Sequence, residues 1–225
     1  MAYEPGVTIE DSLRGIIRVA VLYCDNVSVG DGSQLWEEFT PFCGEIARRY
    51  QGQTISAVEN IQTARELYRS IGVDPTRHRP SSEAMMRRLI KGKQLYRINS
   101  LVDTLNYCSL NFMLPLGLYD LEKVKGGNII IRRGGPGDGY RGIGKDWVNV
   151  EGRFSLHDSE GPFGSPTADS ARTCITDATT GAMIVIFAPL SLPEETLRGH
   201  SAFTARMMEK YGGGSPAVRE AGLVE

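Results

Sequence analysis

The sequence predicts an α+β fold, a mainly antiparallel sheet packed with helices. A β-rich run, Ile16 to Leu22, opens the chain and is followed by helical periodicity from Gln34 to Met113. Beyond Pro115 short apolar runs alternate with glycine and proline. The order is strand, helices, then mostly strands, unlike the βαβ alternation that builds a parallel sheet.

Each element has a local reason. Ile16–Leu22 carries β-branched residues on consecutive positions, as a buried strand does. From Gln34 to Tyr50, Leu35, Phe39, Phe42 and Ile46 recur at helical spacing, and Pro41 is expected to kink or split that helix. Glu59–Ile71 repeats the pattern and Gly72 ends it. Pro80-Ser81-Ser82-Glu83 opens a helix with Met85, Met86, Leu89 and Ile90 inward. Asn99–Met113 buries Val102, Leu105, Cys108 and Phe112. Asn128–Arg133, Arg153–His157, Thr173–Thr176 and Met183–Ala188 read as strands, the last buried on both faces. Pro193–Tyr211 is a helix, and the residues after Gly212-Gly213-Gly214 read as a loose tail.

Composition bounds the function. With 225 residues and 41% hydrophobic content, the chain can bury a sizeable core. A net charge of −2 gives no global field for nucleic acid, so any RNA contact needs a local patch. The four cysteines form no CxxC pair, which argues against a metal site and for reduced thiols in the cytoplasm. Neither a signal peptide nor a membrane span is expected, and nothing calls for a cofactor.

Three features could carry chemistry. Arg77, Arg79, Arg87, Arg88, Lys91, Lys93 and Arg97 form a basic stretch opposed only by Glu83. It suits phosphates, and it equally suits a solvated helix face. Asp103 and Asn106 share one helix face and could orient a ligand amine or tie the helix to a loop. Gly161 to Thr173 reads as a polar loop with Ser165, Thr167, Ser170 and Thr173 as hydroxyls, Asp169 as carboxylate and Arg172 as an anion-gripping fork. His157 precedes it. His157, Asp169 and Ser170 invite a hydrolase-triad reading, although no GxSxG elbow is present.

Arg79-Pro-Ser-Ser-Glu-Ala-Met-Met-Arg-Arg88, Ile98-Asn-Ser-Leu-Val-Asp-Thr-Leu-Asn-Tyr107 and Leu114-Pro-Leu-Gly-Leu-Tyr-Asp120 carry a more specific signal. Together they resemble the B3/B4 domain of the bacterial phenylalanyl-tRNA synthetase beta subunit, and the chain looks like a stand-alone branch of that family. The resemblance implies an editing-domain fold with an amino-acid-sized pocket between sheet and helices. It divides the chain into residues 1–66, an N-terminal strand and helices packed on the core; 67–189, the B3/B4-like domain; and 190–225, a C-terminal helix and tail.

In the synthetase this domain hydrolyses tyrosine mischarged onto phenylalanine tRNA. Its histidine two positions after the matched proline is here Gly117, and a pocket threonine is here Leu105. Its late glutamate has no counterpart between Gly161 and Pro193. The tyrosine-editing residues therefore do not carry over. The leading expectation is a trans-acting factor that hydrolyses mischarged aminoacyl-tRNA. His157, Asp169 and Arg172 would be catalytic; Asp103, Asn106, Ser165, Thr167, Ser170 and Thr173 would hold substrate; Arg79, Arg87, Arg88, Lys91 and Lys93 would meet RNA. A non-catalytic module binding tRNA or a free amino acid, and a small-molecule hydrolase, are the alternatives.

Overall fold

The computed structural model describes residues 3–144 and 146–225. In chain order the strands are β1 (Gly6–Ile9), β2 (Ile17–Asp25), β3 (Leu116–Asp120), β4 (Asn128–Arg133), β5 (Gly139–Tyr140), β6 (Val148–Asn149), β7 (Phe154–Asp158), β8 (Gly161–Ser165), β9 (Ala168–Asp169), β10 (Gly181–Pro189) and β11 (Ala217–Val224). The helices are α1 (Ser33–Arg49), α2 (Ile61–Ser70), α3 (Ser81–Ile90), α4 (Ser100–Phe112) and α5 (Glu194–Tyr211).

Two sheets and a helix layer make the body. One sheet has the order β11-β2-β10-β3 and is antiparallel throughout. The other has the order β1-β4-β7-β8-β9 and is antiparallel except where β1 joins β4. β10 shows why they stack. Its side chains alternate between faces, as any strand's do. Ala182, Ile184, Ile186 and Ala188 join the core formed with the helices, and Met183, Val185 and Phe187 join the core between the sheets. An apolar run without alternation is what a strand buried on both faces requires.

The α+β expectation is thus met, with several local corrections. α1 runs unbroken through Pro41. Pro41 and Glu37 both face solvent, where water can hydrate the carbonyl that proline leaves unpaired. The segment from Gly161 is a β8–β9 hairpin rather than an irregular loop. Thr173–Thr176 forms no strand. Thr173 turns its hydroxyl inward to Ser170, and Thr176 opens a turn closed by the Thr179 hydroxyl. The residues expected as a loose tail include β11, which pairs with β2 from Ala217 to Val224.

Candidate functional site

The pairing register fixes where each candidate side chain stands. Ile9, Ile131, Leu156, Gly164 and Asp169 lie opposite one another across the five-stranded sheet. Ile9, Ile131 and Leu156 belong to the core between the sheets, so Asp169 ends an inward-facing row. His157 pairs with Ile130, which is 43% exposed, and so sits on the outward face.

Across from Asp169 lies Tyr119 of β3, fully buried. A β-carbon on Gly117 would stand 2.2 Å from its hydroxyl, and one on Gly164 2.4 Å from it. No side chain can occupy position 117 while that ring holds its place. The Tyr119 hydroxyl and Asp169 Oδ1 are both buried without a hydrogen bond of good geometry. Burial pushes the Asp169 carboxyl up to about 7, tempered by the nearby phenol. Around them Tyr140 donates to the Ala168 carbonyl and lies 3.1 Å from Ser165 Oγ, while Tyr68 donates to the Pro166 carbonyl at 2.6 Å. Ser165 meets Thr167 at 3.0 Å, and Ser170 meets Thr173 at 3.0 Å. These hydroxyls hold the hairpin. Thr167 also reaches an open cleft.

The expected catalytic trio does not converge. His157 and Asp169 occupy opposite faces of one sheet, which also removes the triad with Ser170. His157 Nε2 is 2.8 Å from Ser155 Oγ, and Nδ1 is buried and unpartnered. Burial, with Arg132 nearby, pulls its pKa down to about 4, so the imidazole is neutral at neutral pH. Arg172 is spent on structure. Its fork meets both oxygens of Asp158 at 2.9 Å, and it also donates to the Lys123 carbonyl at 3.1 Å. It is not available to grip a substrate anion.

Asp103 is likewise occupied. Oδ2 accepts from Trp36 Nε1 at 2.8 Å, and the Ile98 amide reaches both oxygens at 3.1 Å. It ties α1, the segment before α4, and α4 together. Asn106 lies three residues along α4, half-buried.

The basic stretch divides in two. Glu83 is buried and accepts from Arg65 at 2.8 and 2.9 Å and from Arg87 at 2.8 Å. Burial alone would raise its pKa, and the two guanidiniums outweigh that and lower it. Arg87 is therefore part of an internal ion pair. Arg88 donates to the Gln94 carbonyl and lies over Tyr96, 4.1 Å from the ring centroid. Arg77, Arg79, Lys91, Lys93 and Arg97 remain exposed.

Two of these arginines line a cleft of about 330 Å³ with His78, Arg153, Trp147, Asn149, Thr167 and Ala168. Trp147 is 62% exposed, and its indole lies against Gly139, where any β-carbon would stand 2.6 Å from ring atoms. Arg153 reaches His78 at 3.4 Å. Sequence reading missed Trp147 and Arg153 because the cleft is assembled from three distant segments. The visible signal was a large aromatic among turn glycines.

Fold and cleft together define an α+β domain with a helix layer, two stacked sheets and a cationic, aromatic-edged recess. The profile of the B3/4 domain matches residues 63–199, more than half of the sequence, and the chain belongs to that family. A solved N-terminal fragment of the phenylalanyl-tRNA synthetase beta-subunit from Pyrococcus horikoshii is similar over 97% of this chain, at 14% identity and a TM-score of 0.47. The chain covers 53% of that fragment, about half its length. No curated protein sequence matches the chain. Among the described residues, no helix is long and apolar enough to cross a membrane.

Proposed function

We propose that the protein is a trans-acting editing factor that takes the aminoacylated end of a tRNA into the Arg77–Trp147 cleft. One observation carries the reading. Arg77, Arg79 and Arg153 share a recess with an exposed indole, and its Thr167–Ala168 wall runs directly into Asp169. Guanidiniums suit phosphates and an exposed indole suits a terminal base. An aminoacyl ester is already activated, so the site needs only a positioned water and a proton acceptor. In this reading Asp169, whose carboxyl burial raises to about 7 beside the Tyr119 phenol, is the acceptor. Residues 67–189 form the functional core and the flanking segments support it; the substrate places the protein in the cytoplasm.

A second reading is favoured by the closure of Asp169 and the capture of Arg172 by Asp158: the domain binds tRNA without turnover. Deacylation across a panel of mischarged tRNAs separates the two. Turnover of at least one ester, cut about tenfold by Asp169→Asn (equivalent to about 1.4 kcal/mol), supports editing. Salt-sensitive tRNA binding, weakened by Arg77→Glu with Arg79→Glu but without turnover, supports the binding module. Absence of tRNA binding even at low salt sinks both.

A further inference from the structure

A second recess lies in the helix layer. It has a volume of about 270 Å³ and lies between α1 and the segment joining α3 to α4. Its α1 wall is Trp36, Thr40, Cys43, Gly44 and Ala47, one face of a helix with small residues at its centre. Leu89 and Leu95 close the other side, and Lys93 and Arg97 stand at the rim, both exposed. No carboxylate lines it. The acid behind Trp36, Asp103, has both oxygens committed to the Trp36 indole and the Ile98 amide. That knot holds Trp36 in place, with the Arg97 guanidinium 4.8 Å from its ring centroid.

An apolar floor beneath the exposed Lys93, and beneath Arg97 with Asp103 and Asp31 in its coulombic range but not in the lining, favours an anion with a flat or greasy body. A free amino acid fits poorly, since its ammonium would find no acid. The volume is at the small end for ligand pockets and admits one base with its sugar and phosphate at the mouth. The flanking segment adds Tyr96, 70% exposed beneath Arg88, with Lys91 nearby in sequence. Aromatic and cationic side chains so interleaved suit the bases and phosphates of a single strand.

We infer that the slot between α1 and the α3–α4 connection is a nucleotide subsite, taking one base of a single-stranded RNA with its phosphate on Lys93 and Arg97. This rests on the RNA reading above and adds a second contact, away from the residues assigned to the aminoacyl end.

Gly44 supplies a clean test. A β-carbon there meets no atom within 4 Å, so a side chain can start at Gly44 without a clash, and Gly44→Leu is the variant chosen to narrow the slot. It also replaces a helical glycine with a better helix former. The chain has two tryptophans, so Trp147→Phe leaves Trp36 as the fluorescence reporter. AMP should change that signal saturably, and adding Gly44→Leu should weaken binding at least about tenfold without lowering Tm. Lys93→Ala should weaken it about threefold or more. Ribose 5-phosphate binding as tightly as AMP, indole-3-acetate binding more tightly, or AMP binding unaffected by Gly44→Leu would each overturn the inference. Equal tRNA affinity in wild type and Gly44→Leu would overturn it while leaving the aminoacyl-end reading intact. AMP binding that Gly44→Leu abolishes, in a protein that binds no tRNA, would support the nucleotide slot and remove the editing reading instead.

Discussion

Asp103 and Asp169 are both acids turned away from solvent, and both stand out in the sequence as groups that could meet a ligand. Their surroundings separate them. Asp103 lies in the first turn of α4, where the helix dipole favours negative charge, and it accepts from Trp36 and Ile98. Asp169 lies on an edge strand facing the core, with one oxygen unpartnered and phenols around it. Burial raises both carboxyls, but at Asp103 the Trp36 and Ile98 donors oppose the shift, whereas Asp169 reaches about 7. The lesson is that the donors around a buried acid show whether it is already committed. Asp103 holds the fold, and Asp169 has the Tyr119 phenol beside it but no hydrogen bond of good geometry at Oδ1.

The largest expected effect breaks the comparison on the Asp103 side. Asp103→Ala strands the buried Trp36 indole N–H, which costs about 1–3 kcal/mol when unpaired, and also frees the part-buried Ile98 amide. Urea unfolding should show a loss of about 3 kcal/mol or more, against less than about 1 kcal/mol for the isosteric Asp169→Asn. Equal losses would mean that Asp169 is structural too.

Arg172→Ala comes next. It removes the bidentate partner of Asp158, whose side chain is 0% exposed, while Arg172 itself is 30% exposed. Partial exposure discounts the full cost of breaking a buried pair, so a loss of about 2 kcal/mol in thermal or urea unfolding is expected. A catalytic Arg172 would instead leave stability unchanged and abolish turnover.

The pH profile gives the subtlest signal. The Asp169 carboxyl has a folded pKa near 7 against 3.8 for the free group, so the folded state holds its proton more tightly. Its stabilising contribution is complete below about pH 4 and is lost as pH rises through about 7. Wild type should therefore lose stability relative to Asp169→Asn across that window, at up to about 1.4 kcal/mol per pH unit. Parallel curves would show that Asp169 titrates normally and would weaken its role as proton acceptor.

Much of the framework was legible from periodicity. β10 is a near-continuous apolar run because it has two buried faces, and α3 shows a 3.6-residue stripe because it has one, whereas α4 is buried nearly all round and its stripe understated that. β8 and β9 were hidden by composition. Gly161, Pro162, Gly164 and Ser165 look like loop residues, yet Gly164 is required by the approach of Tyr119. β11 was hidden by Arg219 and Glu220 and by a bulge at Gly222, which dilute its alternation. The site was less legible. Residue type marked Asp103, Arg87 and Arg172 as available, and only partners distant in sequence show them committed to Trp36, Glu83 and Asp158. The Arg77–Trp147 cleft had no contiguous signature.

The strand order β11-β2-β10-β3 has a consequence for how the molecule comes into being. β2 is made early, between Ile17 and Asp25, yet its partners are β10, beginning at Gly181, and β11, beginning at Ala217. During synthesis β2, apolar on both faces, waits beside helices that have no sheet to cover. Such long-range pairing folds slowly and leaves sticky edges exposed in the interim. Nascent chains stalled before residue 181 should therefore depend on chaperones, and release of the last strand from the ribosome should be the event that ends that dependence.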